Sequence, residues 1–373
     1  MLEIRWTEDG EARSARWRSA NGSPPPARVV VADDRLAAAT AYRLACEGTA
    51  LLWRGDFPAA RRLLRAMARR ADRRPPRPAP SPDLAFHRHR QERARRASTL
   101  GRLLVPLDGD HAVPLPRAPD LRQACAEVYG PATGPSVTSL RELLGIAGAH
   151  EWRRKGIEVP ALGARIHPHY GVFAPTRGEY VDLVARAPLA GRPDVAFDIG
   201  TGTGVLAAVL ARRGVGRLVA TDRDPRAVAC ARDNLRRLGL GDRAEVVCAD
   251  LYPPGRAQLV VCNPPWLPAK PASPLDHAVY DPGGRMLRGF LDGLAGHLEP
   301  GGEGWLILSD LAEHLALRTR ADLLAAFAAA GLRVVDRLQT RPGHPRARDD
   351  TDPLHAARTA EVTSLWRLTP AAR

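Results

Sequence analysis

Residues 194–204 read D-V-A-F-D-I-G-T-G-T-G. Asp194 to Phe197 reads as a short strand, and Asp198 ends it. Glycine at 200, 202 and 204 lets the backbone turn tightly and approach a ligand. The apolar run Val205 to Arg212 predicts a helix that opens at that turn. The spacing is G-x-G-x-G. It departs from the dinucleotide pattern G-x-G-x-x-G, because position 205 is Val.

Working outward, each following strand ends in a residue with chemistry. The strand L-V-A-T-D ends in Asp222, about 20 residues beyond the glycines, where a carboxylate can hold two ribose hydroxyls. That acid serves a dinucleotide and a nucleoside donor equally. Asp224 and Pro225 predict the cap and first turn of a helix through Leu238. A third strand, Glu245 to Ala249, ends in Asp250, which can accept a hydrogen bond from an adenine amino group. The fourth, from Leu259, runs as L-V-V-C into Asn263-Pro264-Pro265-Trp266. Its unbroken apolar character fits a strand buried on both faces, and the Pro pair ends it.

In this tetrad, the side-chain oxygen of Asn263 and the rigidly held carbonyl of Pro264 can both accept from one amino group. Trp266 beside them can stack on a flat substrate. Together they form a cradle for a planar group carrying NH2. By itself, N-P-P-W is also simply a rigid strand-to-loop turn.

N-P-P-[aromatic] after a buried strand resembles the motif of amino-group methyltransferases that use S-adenosylmethionine. Those enzymes modify exocyclic amines of nucleic-acid bases or the side-chain amide of glutamine. The upstream segment V-F-A-P-T-R-G-E-Y (172–180) resembles the one before the first strand of release-factor glutamine methyltransferases, with Thr176 inserted between Pro175 and Arg177. The full series resembles class I S-adenosylmethionine-dependent methyltransferases over roughly 170–373.

This resemblance implies an α/β fold: a seven-stranded, doubly wound Rossmann-like sheet with an antiparallel last strand. It implies S-adenosyl-L-methionine as cofactor. The donor site would comprise Asp198, Gly200, Thr201, Gly202 and Gly204, then Asp222 with Arg223, Asp250 with Leu251, Asn263, and Arg177 closing over the donor. The catalytic set would be Asn263, Pro264, Pro265 and Trp266.

The rest of the predicted sheet follows. Arg285 to His297 and Ala321 to Ala330 predict helices. Glu299-Pro300-Gly301-Gly302 reads as a turn before a fifth strand, Gly304 to Leu308. Arg333 to Gln339 and Glu361 to Arg367 predict the last two strands, joined by a long polar loop.

The chain has 373 residues, 45% of them apolar, enough for two domains with cores. No apolar run reaches membrane-spanning length, and the first ten residues lack a signal pattern. Five Cys without a C-x-x-C pair argue against a disulfide framework or a zinc site. Cytoplasm is the expected compartment, with no membrane partner and no metal. His87 and His89 lack the third and fourth ligands that a metal site would need.

The formal net charge is +14, carried almost entirely by Arg. Its distribution matters more than its sum. Between Arg61 and Arg96 there are 13 Arg against Asp72, Asp83 and Glu92, whereas residues 197–340 are nearly balanced. Local excess is what a polyanion-binding surface needs. RNA is therefore the expected partner of segment 61–96, with Arg93, Arg95 and Arg96 as phosphate contacts. A solvated basic helix remains the plain alternative. A protein glutamine as acceptor, and a noncatalytic RNA-binding protein that keeps the fold, also remain open.

Residues 1–150 are expected to form a basic accessory domain, mixed α/β or α-rich, for substrate recognition. Residues 151–373 are the expected catalytic domain. In the accessory part, the first 25 residues read as an edge strand or loose arm. Val29 to Ala32 and Thr49 to Trp53 predict strands. Helices are predicted from Asp33-Asp34 through Glu47, over 57–70, and at 121–129 and 139–146. Residues 103–119 read as irregular and 150–160 as a polar connector.

Overall fold

The computed structural model describes residues 2–73, 79–176, 178–271, 275–343 and 352–371. The chain divides into two compact units, Met1–Ala79 with His87–Glu151, and Pro80–Phe86 with Trp152–Arg373.

The first unit holds a six-stranded mixed sheet. Its strands are β1 (Glu3–Glu8), β2 (Glu11–Trp17), β3 (Arg28–Ala32), β4 (Thr49–Trp53), β5 (Leu103–Leu107) and β6 (Ser136–Ser139), in the order β1-β2-β6-β5-β4-β3. Side-chain alternation splits its core. Leu51, Trp53, Leu103, Val105 and Leu107 join the helix-side cluster, while Ala50, Leu52 and Leu104 pack with Ile4 and Trp17. The helix Phe57–Ala71 buries Phe57, Ala60, Leu63, Leu64 and Met67 at helical spacing. Asp56 caps it, accepting from the Ala59 amide at 3.2 Å.

Three expectations for this unit are corrected. Asp33 and Asp34 do not cap the next helix, which starts at Ala38 after Ala37. Asp33 instead accepts from the Arg35 amide at 3.0 Å, and Asp34 from the Asp56 amide at 3.2 Å. Residues 103–107 form a strand despite Pro106. That residue lies beyond the short pairing with β4, so no ladder N–H is missed on that side. Residues 136–139 are a strand too, and the helix Leu140–Lys155 runs through half of the expected connector. Of the two readings for the N-terminal stretch, the edge strand holds: β1 lies at the sheet edge and is paired with β2 in a hairpin.

The second unit opens with a small hairpin, β7 (Ile157–Val159) and β8 (Ala164–Ile166). Seven strands follow: β9 (Val195–Ile199), β10 (Arg217–Asp222), β11 (Ala244–Cys248), β12 (Ala257–Cys262), β13 (Leu298–Ser309), β14 (Leu332–Thr340) and β15 (Thr363–Pro370). Their order is β11-β10-β9-β12-β13-β15-β14. Neighbours are parallel from β11 to β13, and β15 is antiparallel to both β13 and β14. This is the doubly wound sheet with an antiparallel last strand.

Helices cover both faces. Leu259 and Val261 of β12 join the core with helices Glu179–Arg186, Val205–Arg212 and Pro225–Arg237. Val260 and Cys262 join the core with helices Arg285–His297 and Arg320–Ala329. The turn expected at 299–302 is a bulge inside β13, where pairing with β12 jumps from Leu298 to Glu303. No helix among the described residues is long and apolar enough to cross a membrane.

Candidate donor and acceptor site

The site is built where parallel strands end. Gly200, Gly202 and Gly204 follow β9 with φ of 72°, 55° and 80°, in the left-handed region that favours glycine. A Cβ on Gly204 would stand 3.2 Å from the Ala231 backbone, so this glycine also lets two helices approach.

Asp198, the fourth residue of β9, is buried below this loop. Its Oδ2 accepts from the Thr201 hydroxyl at 2.6 Å and from the Ala207 amide at 3.1 Å. Burial lifts its carboxyl to about 6. Asp198 thereby ties the glycine turn to the following helix. From the opposite side, Asn234 donates to the Thr203 carbonyl at 3.0 Å and to the His167 carbonyl at 3.2 Å. Its Oδ1 accepts from the His167 amide at 2.7 Å.

Asp222 ends β10. Its Oδ2 accepts from the Gly202 amide at 3.1 Å and its Oδ1 from the Asp224 amide at 2.9 Å. Burial raises its carboxyl above the ordinary range. Each oxygen keeps a further acceptor site, which suits the paired hydroxyls of a ribose. The residues present therefore fit a nucleoside-bearing donor. Arg223 follows, exposed.

After β11, Asp250 is exposed and pairs with Arg285 at 3.0 Å. Leu251 takes φ 74°, uncommon for a residue with a Cβ. Its side chain lies over Gly289, where an added Cβ would sit 2.5 Å from Leu251 Cδ1. Tyr252 stacks on His297 with ring centroids 4.1 Å apart, and its hydroxyl donates to the Phe290 carbonyl. Arg177 lies outside the described residues.

Asn263 begins where β12 ends. Cys262 pairs with Ile199, so Asn263 and Gly200 leave adjacent strands side by side. The indole Nε1 of Trp266 donates to Asn263 Oδ1 at 2.9 Å. Pro264 is buried, while Pro265 and Trp266 are half-buried. Burial pushes the Cys262 thiol well up, so it offers no thiolate beside Asn263.

Sequence reasoning missed the residues that join these loops. Asp281 is buried and accepts from the amides of Met286 (2.9 Å) and Leu287 (3.1 Å) at the start of the helix Arg285–His297. Its own amide donates to the Leu267 carbonyl at 2.8 Å, directly after the tetrad. Met286 reaches Gly200. The local signal was an acid before Pro-Gly-Gly at a helix start. Among the described residues no three His, Cys, Asp or Glu side chains gather as a metal site.

Residues 164–320 match the family model of the methyltransferase small domain. The matched segment is similar to that family. Its strand order and the residues at its strand ends suit a class I domain that takes S-adenosylmethionine as methyl donor.

Relatives include a ribosomal protein L11 methyltransferase of Pelotomaculum thermopropionicum, 37% identical over 38% of this chain and 39% of the relative. A release factor glutamine methyltransferase of Cereibacter sphaeroides is 36% identical over 28% of this chain and 43% of the relative. A second L11 methyltransferase, from Sorangium cellulosum, is 31% identical over 59% of this chain and 61% of the relative. The chain thus spans between about two fifths and three fifths of these relatives. One similar solved structure is the L11 methylase of Lactobacillus delbrueckii subsp. bulgaricus. It has a TM-score of 0.39 and 16% identity, over 56% of this chain and 86% of that one.

Proposed function

We propose that the protein is an N-methyltransferase that moves a methyl group from S-adenosylmethionine to a conjugated NH2 group. The observation that carries this is Asn263, at the strand end beside the glycine loop, with its amide oxygen engaged by Trp266. The donor supplies a methyl carbon already activated by a positive sulfur. Asp222 and the glycine loop bind its nucleoside. Asn263 Oδ1 and the Pro264 carbonyl accept the two N–H bonds of the acceptor. That favours a pyramidal amine with a free lone pair and stabilises the positive charge developing on nitrogen. The loops orient the two reactants and exclude water.

For the acceptor we propose an exocyclic amine of an RNA base, with the first unit as its recognition domain. Support comes from the exposed Arg61, Arg62, Arg65 and Arg69 of one helix and Arg93 and Arg95 of another. Arg96 is engaged by Asp72, at 2.7 Å. An unpaired or flipped base is the form such an enzyme reaches. A second reading, a glutamine amide of a translation protein, is supported by the release factor glutamine methyltransferases among the relatives. The five unbridged cysteines support a cytoplasmic place of work.

The test uses tritiated donor with total RNA and total protein from cells lacking this gene. Label in RNA supports the first reading, and label in protein the second. In either case Asn263→Ala should lower turnover about 100-fold with donor affinity little changed. Label in neither fraction, or full turnover by the variant, rejects the proposal.

A further inference from the structure

An indole N–H can only donate, and the ring has no atom able to accept. Trp266 Nε1 lies 2.9 Å from Asn263 Oδ1. This geometry decides which end of the Asn263 amide is oxygen, because an NH2 in that place would set two donors face to face. The indole is not free to swing away, since part of its ring rests on both core layers of the sheet. The chain directly after it is also pinned. The Leu267 amide donates to the Val279 carbonyl at 3.1 Å, and the Asp281 amide donates to the Leu267 carbonyl at 2.8 Å.

An amide oxygen has two acceptor sites. The indole fills one. We infer that Trp266 is a positioning residue: its indole N–H locks the Asn263 amide so that the second lone pair of Oδ1 meets the acceptor N–H, with the NH2 end held away. This rests on Asn263 being the acceptor-binding residue. It gives the aromatic of the tetrad a polar task besides any stacking on substrate. It also separates Trp from aromatic residues without a ring N–H. Without the indole N–H the amide can turn over, and an acceptor amine would then face another donor.

Trp266→Phe keeps an aromatic ring and removes the N–H. It should lower kcat for the label-accepting fraction about 10- to 100-fold, the span expected when a polar group faces the wrong partner. Donor affinity and the thermal midpoint should stay close to wild type. A carboxylate presents two equivalent oxygens and has no wrong orientation. In an Asn263→Asp background the same Trp266→Phe change should therefore cost less than about threefold. Equal losses in the two backgrounds would show that the ring acts through packing alone, and would overturn the inference.

A second readout needs no turnover. In the full-length protein, the Trp266 indole N–H resonance, assigned by its loss in Trp266→Phe, should exchange with solvent slowly. It should exchange at least about tenfold faster in Asn263→Leu, where the acceptor oxygen is gone. An exchange rate that does not respond to that substitution would sink the inference whatever the activity. Wild-type protein that labels neither RNA nor protein would instead reject the function, and the indole measurement would still decide the hydrogen bond.

Discussion

Asp198 shows how a single buried group constrains the donor loop. It is 1% exposed, and burial raises its carboxyl from the ordinary 3.8 to about 6. A raised carboxyl means that the folded state binds a proton more tightly than the unfolded chain. The resulting stability is fully present below pH 3.8 and is lost as pH rises through about 6. The difference is worth about 3 kcal/mol at most. Denaturant melts from pH 5 to pH 7.5 should therefore show wild type losing stability relative to Asp198→Asn. Parallel curves would mean that Thr201 and Ala207 compensate the buried charge fully. From the sequence, Asp198 was legible as an acid at the strand end before the glycine turn. Its task of tying the loop to the next helix was not, because that depends on which amides fold back over it.

At the scale of elements, the helix Arg285–His297 joins the site together. Its ends were readable from the sequence, since Pro-Gly-Gly precedes it and its apolar face repeats at helical spacing. Its neighbours were not readable, because they belong to residues far apart in the chain. Arg285 reaches Asp250, Met286 reaches Gly200, and its glycines receive Leu251 and Tyr252.

Two glycines of this helix make opposite predictions. A Cβ on Gly293 would stand 2.5 Å from the Tyr252 ring, which is held between His297 and its own hydrogen bond to Phe290. A Cβ on Gly296 would meet nothing within 4 Å. Ala is better than Gly in a helix by about 1 kcal/mol. Gly296→Ala should therefore stabilise the protein by up to that amount. Gly293→Ala should destabilise it by about 1–3 kcal/mol, because the ring must move. Chemical denaturation reads both. Stabilisation by both would show that Tyr252 is loosely seated and that the 250–252 loop is not fixed by this helix.

For the whole molecule, legibility divides along the chain. The second unit was readable because β9, β10 and β12 are largely apolar, and these strands and β11 run into Gly200, Asp222, Asn263 and Asp250 respectively. The first unit hid three strands. β2 reads E-A-R-S-A-R-W, and only Trp17 in it is fully buried, so little apolar alternation exists to find. β5 contains a proline, β6 is only four residues long, and their pairings are distant in sequence. Charge, unlike pairing, needs no partner to be read, and it carries the prediction for this unit. If the exposed arginines bind RNA backbone, each neutralised phosphate releases counterions, and affinity falls steeply with salt. Arg61, Arg65, Arg93 and Arg95 changed to Ala should weaken RNA binding across sequences. The slope of log affinity against log salt should drop by about 0.7 to 0.9 for every phosphate that the variant leaves unneutralised. Donor affinity should not change, since the glycine loop belongs to the other unit. Arg96 is left in place, because its ion pair with Asp72 would make its removal a stability effect. Equal slopes for wild type and variant would make these helices solvated faces. The glutamine amide of a protein would then become the leading acceptor.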